Sequence, residues 1–136
     1  MNKFDRRGFL AGTTGVAGLV MLGGLSAPAR AQGGPLNVGV LIPGSKSDKG
    51  WMESGYDGMK AAEKKLGNKA SVKFIENVKF GDMEQVLVTL AGKNELVIGI
   101  GGQTQASVFK VAPRFPKVKF AIIGGNADPK KPDNVS

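Results

Sequence analysis

Leu36-Asn-Val-Gly-Val-Leu-Ile42, followed at once by Pro43-Gly44-Ser-Lys-Ser-Asp48-Lys-Gly-Trp51, decides the fold. The first seven residues form a β-rich apolar run, and Pro43-Gly44 ends it, which suits a buried strand. Beyond Trp51 the period changes. Met52, Tyr56, Met59, Ala62 and Leu66 recur at helical spacing, Lys60, Glu63, Lys64 and Lys65 take other faces, and Gly67 supplies a C-terminal stop. The stretch therefore predicts a strand, a polar loop and an amphipathic helix in that order.

The same alternation continues along the chain. Ser71 to Glu76 alternates as a strand, with Val72 and Phe74 set against Lys73 and Glu76. A helix is expected from Asp82 to about Gly92, with Asp82 and Gln85 at capping-box spacing and Val86, Leu87 and Leu90 inward. Residues 95–100 make a third strand and Gly101-Gly102-Gln103 a turn. Thr104 is placed to cap a helix that carries Val108, Val111 and Ala112 inward and ends near Pro113. Residues 118–123 make a fourth strand, and the prolines and polar residues from Gly124 to Asn134 read as a loop. Strands apolar on both faces, alternating with helices, imply an α/β fold: a parallel sheet with helices on both faces and right-handed crossovers. Ligands of such sheets bind where the strands finish, near the point at which strand order reverses. The loops to weigh are therefore 43–51, 77–81, 101–104 and 124–128.

Composition narrows the chemistry. The chain of 136 residues has 19 Lys+Arg against 11 Asp+Glu, and it contains neither cysteine nor histidine. Thiol nucleophiles, Cys/His zinc sites, Ser-His-Asp triads and histidine bases are excluded, so a conventional hydrolase is disfavoured and the pattern calls for no cofactor and no metal. Residues 1–31 have the three parts of an export signal. Arg6 and Arg7 are followed by Phe9-Leu10, a glycine-broken apolar run extends from Phe9 to Leu25, and Ala29-Arg30-Ala31 matches an A-x-A cleavage pattern. We read this as a twin-arginine (Tat) signal with cleavage after Ala31, no cysteine to accept a lipid, and a short linker at 32–35 before the α/β region 36–136. The remainder carries 15 basic and 10 acidic residues, a net +5. These cations do not gather into a run, and no aromatic platform accompanies them, so nucleic acid is not the expected partner.

Of the four loops, the first is the richest. Ser47, Asp48 and Trp51 place a hydroxyl, a carboxylate and the only tryptophan immediately before a helix start. Trp51 offers a stacking face to a planar ligand, and Asp48 accepts hydrogen bonds from hydroxyl or ring N–H groups. A second reading of the same residues stays open: Ser47 or Asp48 caps the helix and Trp51 packs as a hydrophobic staple. Gly101, Gly102 and Gln103 open a glycine turn where backbone N–H groups come close to a ligand, or serve only the turn itself. The third glycine of a dinucleotide fingerprint falls at Thr104, which excludes that cofactor. Gly125 and Asn126 are weaker candidates of the same kind, and Phe80 is a candidate for a second aromatic contact.

The wording of residues 36–136, above all Asp48-Lys49-Gly50-Trp51, Tyr56-Asp57-Gly58 and Phe115-Pro116 through Phe120-Ala121, resembles the N-terminal part of the basic membrane protein (BMP) family. That resemblance implies a substrate-binding component of an ABC importer with a periplasmic-binding-protein type I fold. Two α/β lobes would hold a purine-nucleoside-like solute between them, with Asp48, Trp51 and Gly101-Gly102 lining the cleft. Its partners would be that solute, an ABC permease at the inner membrane and a C-terminal lobe of the same protein, which this chain is expected to lack. Two positions depart from the family's usual wording. Trp51-Met52 stands where many members have Phe-Asn, and Gly124 stands where many have an acid after the fourth strand. A ligand-sensing module that presents a solute to a receptor, or an exported cofactor enzyme, are the alternative functions.

Overall fold

The computed structural model describes residues 34–136; the proposed signal 1–31 and the start of the linker lie outside them. Four strands form one sheet: β1 (Leu36–Leu41), β2 (Ala70–Ile75), β3 (Leu96–Ile100) and β4 (Lys119–Ile123). All pairings are parallel and the order is β2-β1-β3-β4, so the order reverses between β1 and β3. Three helices connect them: α1 (Trp51–Leu66), α2 (Met83–Ala91) and α3 (Gln105–Val111). Each strand lies within a residue or so of its expected span.

Period-two alternation divides the strand side chains between two faces. Leu41, Val97 and Phe120 turn to one face and pack with Leu87 and Leu90 of α2 and Val108 and Val111 of α3. Val38, Val40, Ile98 and Ile100 turn to the other, where Met52, Tyr56 and Met59 of α1 cover them. The Tyr56 ring meets Phe74 of β2 edge-on, with centroids 4.7 Å apart. Helices thus cover both faces, as the alternating pattern required. At Gly39 the connection closes tightly on β1, since a Cβ there would stand 2.7 Å from Asn94 Nδ2 and 2.9 Å from Leu90 Cδ2.

Several local expectations need correction. No residue of α1 is fully buried; Ala62 and Leu66 are exposed, Leu66 to 47%. Met52, Tyr56 and Met59 pack over the sheet and Glu63 accepts from Val72 N of β2 at 2.9 Å, while Ala62 and Leu66 lie on the outer side of the helix. The capping pairs at Asp82 and Thr104 do not form. Both residues already have helical backbone angles within 3-10 turns, Phe80–Asp82 and Gly102–Thr104, so neither side chain can fold back onto the first helical N–H groups as an extended cap does. The Thr104 hydroxyl instead donates to the Gly101 carbonyl at 2.8 Å.

The segment after β4 is more ordered than its loop composition suggests. Asn134 Nδ2 donates to the carbonyls of Ala112, Phe115 and Val118. Val135 is buried and bridges Phe120 in parallel, with Phe120 N donating to the Asn134 carbonyl and Ser136 N to the Phe120 carbonyl.

Candidate functional site

The C-terminal ends of the strands gather the four loops singled out above. The first runs from Ile42 to the start of α1 and is held from both ends. Lys46 N donates to Glu76 Oε2 at 3.0 Å, and its ammonium pairs with Glu76 Oε1 at 2.9 Å, tying the loop to the end of β2. The Lys46 backbone N–H first, and its ammonium second, hold the Glu76 carboxyl below the ordinary range; the same contact raises Lys46. Asn77, with φ 57, turns the chain so that its N–H reaches the Gly44 carbonyl.

Asp48 settles how α1 begins. Its carboxylate accepts from Gly50 N at 2.8 Å, Glu53 N at 3.1 Å and Met52 N at 3.3 Å. Three of the donors that a helix start leaves free are thereby satisfied by one side chain. Glu53 reciprocates, accepting from Lys49 N at 2.7 Å, and Lys49 takes φ 56 to present that N–H. The backbone N–H groups, that of Glu53 foremost, lower the Asp48 pKa, so the carboxylate is charged at neutral pH. Of the two residues weighed as a cap, Asp48 takes the role. Ser47 does not; its N–H donates to the Ser45 hydroxyl at 3.1 Å.

Trp51, the first residue of α1, is not a buried staple: 56% of it is exposed. Its indole lies against the turn after β4. A Cβ at Gly124 would stand 2.8 Å from Trp51 Cζ2, and Gly124 has φ 82, a conformation that L side chains avoid. The indole therefore rests on bare backbone. Trp51 and Gly124 meet here: the indole occupies space that a side chain at 124 would fill.

The glycine turns complete the rim. Gly101 N donates to the Ile123 carbonyl at 2.8 Å, and a Cβ at Gly102 would stand 2.8 Å from the Gly124 carbonyl oxygen, so the turns after β3 and β4 pack backbone to backbone. Gln103 folds its amide over Gly101. Gln105 Oε1 accepts from Asn126 N at 2.8 Å and lies close to Gly125. Sequence reasoning gave Gln105 no role, although a glutamine two residues beyond a glycine turn was the available signal. Beyond Gly125 and Asn126 a cavity of about 320 Å³ opens between Phe109, Ile122 and Lys131. Phe80 is 69% exposed in the turn after β2. Trp51 and the two glycine turns are thus brought together, while Asp48 is turned to the helix it caps. Among the described residues no cluster of His, Cys, Asp or Glu could hold a metal ion.

A parallel, helix-covered sheet of this kind also occurs in solute-binding proteins of known structure. Residues 36–136 match the family model described as "Bmp: ABC transporter substrate-binding protein PnrA-like", and the chain belongs to that family. Among solved structures it is similar to an ABC transporter solute-binding protein from Aeropyrum pernix K1, with 32% identity and a TM-score of 0.66 over 74% of this chain and 27% of that one. It is also similar to one from Conexibacter woesei DSM 14684, with 21% identity and a TM-score of 0.63 over 74% of this chain and 33% of that one. A third likeness is to a fragment of a lipoprotein from Peptoclostridium difficile 630, described as putative, with 23% identity and a TM-score of 0.64 over 75% of this chain and 82% of that fragment. A comparison with curated protein sequences returned no match. The chain spans between a quarter and a third of the length of these two transporter proteins, 27% of one and 33% of the other.

Proposed function

We propose that this chain supplies one half of the ligand clamp of an exported solute-binding protein that delivers a flat, hydroxyl-bearing solute of the purine-nucleoside type to an ABC permease. The observation that carries the proposal is the half-exposed Trp51 indole resting on Gly124 at the edge where the strands finish. An aromatic face held there offers a stacking surface of about 1–3 kcal/mol to a planar ring. The Asp48 carboxylate has roughly four lone-pair sites and engages three N–H groups, which leaves about one for a ligand hydroxyl or N–H. Ser47 lies on the same loop. Gly101, Gly102, Gln103, Gly125 and Asn126 give the ligand close access to backbone and amide groups. Export follows the Tat signal at 1–31, with the mature protein in the periplasm and no lipid anchor.

A clamp of this kind closes about a hinge and shares its contacts between lobes, so one lobe alone holds the solute weakly. Isothermal titration of the chain with adenosine, guanosine and inosine tests this. Binding weaker than micromolar supports a shared clamp; submicromolar affinity for this chain overturns it.

A further inference from the structure

We propose that the edge opposite the rim, where the strands begin, docks onto an anionic phospholipid surface. Charge is sharply divided between the two edges. Lys64 and Lys65 close α1, Lys69 precedes β2, Lys93 precedes β3, and Arg114, Lys117 and Lys119 lead into β4, against Glu63, Glu95 and Asp133. Seven cations less three acids give that edge +4, most of the net charge of the whole region 36–136. The loops and helix starts of the rim edge carry Lys46, Lys49, Lys79, Lys130 and Lys131 with Asp48, Glu53, Glu76, Asp82, Glu84 and Asp128, for −1. All seven cations of the basic edge are exposed, and the ion pairs found among the described residues use none of them.

The negative end of α1 accounts for Lys64 and Lys65, which lie in its last turn. It does not account for Lys69, Lys117 and Lys119, which stand in turns and at a strand start. An exposed apolar residue sits among the cations: Leu66, 47% exposed, lies between Lys65 and Lys69. A shallow groove lined by Pro113, Pro116, Pro132 and Lys119 opens at the same edge. Exposed apolar groups set among lysines suit the boundary between headgroups and acyl chains better than a nucleic acid, which would require aromatic platforms or a continuous basic track. This docking goes beyond the solute-binding reading and does not depend on which solute the rim takes.

Flotation of the full chain with vesicles of phosphatidylglycerol and phosphatidylcholine in equal parts, and with vesicles of phosphatidylcholine alone, tests the proposal. The ratio of the two affinities removes any contribution of the apolar run. Each lysine near an anionic surface contributes roughly fivefold, so Lys64→Gln/Lys65→Gln/Lys69→Gln is expected to reduce the ratio on the order of 100-fold at low salt. The equally charged control Lys79→Gln/Lys130→Gln/Lys131→Gln should leave it nearly unchanged, with circular dichroism showing both variants folded. Equal losses in the two variants, or no preference for phosphatidylglycerol in the parent chain, overturn the proposal. So does equally tight binding of duplex DNA through the same three lysines, which would assign the edge to nucleic acid.

Discussion

The two edges of the sheet are built by the same four strands and have opposite characters. Where the strands finish, glycines at 101, 102 and 124 bring backbone against backbone, and one indole stands on the resulting floor. Where they begin, the chain places its lysines, and side chains stitch the backbone at Asn134, at Asn94, at Glu63, which accepts from Val72 N at 2.9 Å, and at Glu95, which accepts from Asn37 N at 3.1 Å. The difference shows how a parallel sheet separates tasks: strand direction fixes one edge for close approach and leaves the other free to carry charge.

Several substitutions would break or sharpen this contrast, and the largest effect lies between the edges. Leu87→Ala in the fully buried layer under α2 should cost about 2–5 kcal/mol in chemical denaturation and loosen both edges together. Gly124→Val should cost about 1–3 kcal/mol through its positive φ, and it should also unseat the indole, which a change in tryptophan emission would report. Trp51→Ala removes a largely exposed ring. It should weaken nucleoside binding by about 1–3 kcal/mol and leave the melting temperature nearly unchanged. A large drop in melting temperature would instead make Trp51 a packing residue.

The smallest effects concern pH. Asp48, Glu63 and Glu76 have folded pKa values lowered from 3.8, 4.5 and 4.5 by the groups that bond them. Their contribution to stability is complete above those ordinary values and is lost as pH falls through the lower, folded ones. Lys46 and Lys60 are raised from 10.5, so their contribution holds below that value and fades as pH climbs through the raised one. Asp48→Asn should therefore flatten part of the acid limb of a melting-temperature profile and leave the alkaline limb in place. An unchanged acid limb would show that the start of α1 does not depend on the charge of Asp48.

Most of the fold was legible in the sequence because apolar period and glycine punctuation coincide. Trp51–Leu66 occurs as a helix over the expected span, and Gly67 ends it with φ 56. What the period could not show was which side of α1 lies over the sheet, so Ala62 and Leu66, at correct helical spacing, still face outward. Capping pairs were read from spacing alone, and the 3-10 turns before α2 and α3 removed the backbone geometry those caps require. The choice between cap and ligand group at Asp48 depended on where three backbone N–H groups point, which no local pattern encodes. The meeting of Trp51 with Gly124 lies across more than seventy residues of sequence and became visible only once β4 was placed beside β3. Asn134 was hidden in a proline-rich stretch whose composition reads as a loop, although its amide joins three carbonyls.

Because Trp51 is the only tryptophan, its emission reports directly on the rim. Titrating the full chain with guanosine, inosine and adenosine while following that emission should give a saturable quench with a dissociation constant weaker than micromolar, abolished in Gly124→Val. Emission that stays unchanged at nucleoside concentrations where calorimetry detects binding would contradict the account, because the ligand would then sit away from the indole.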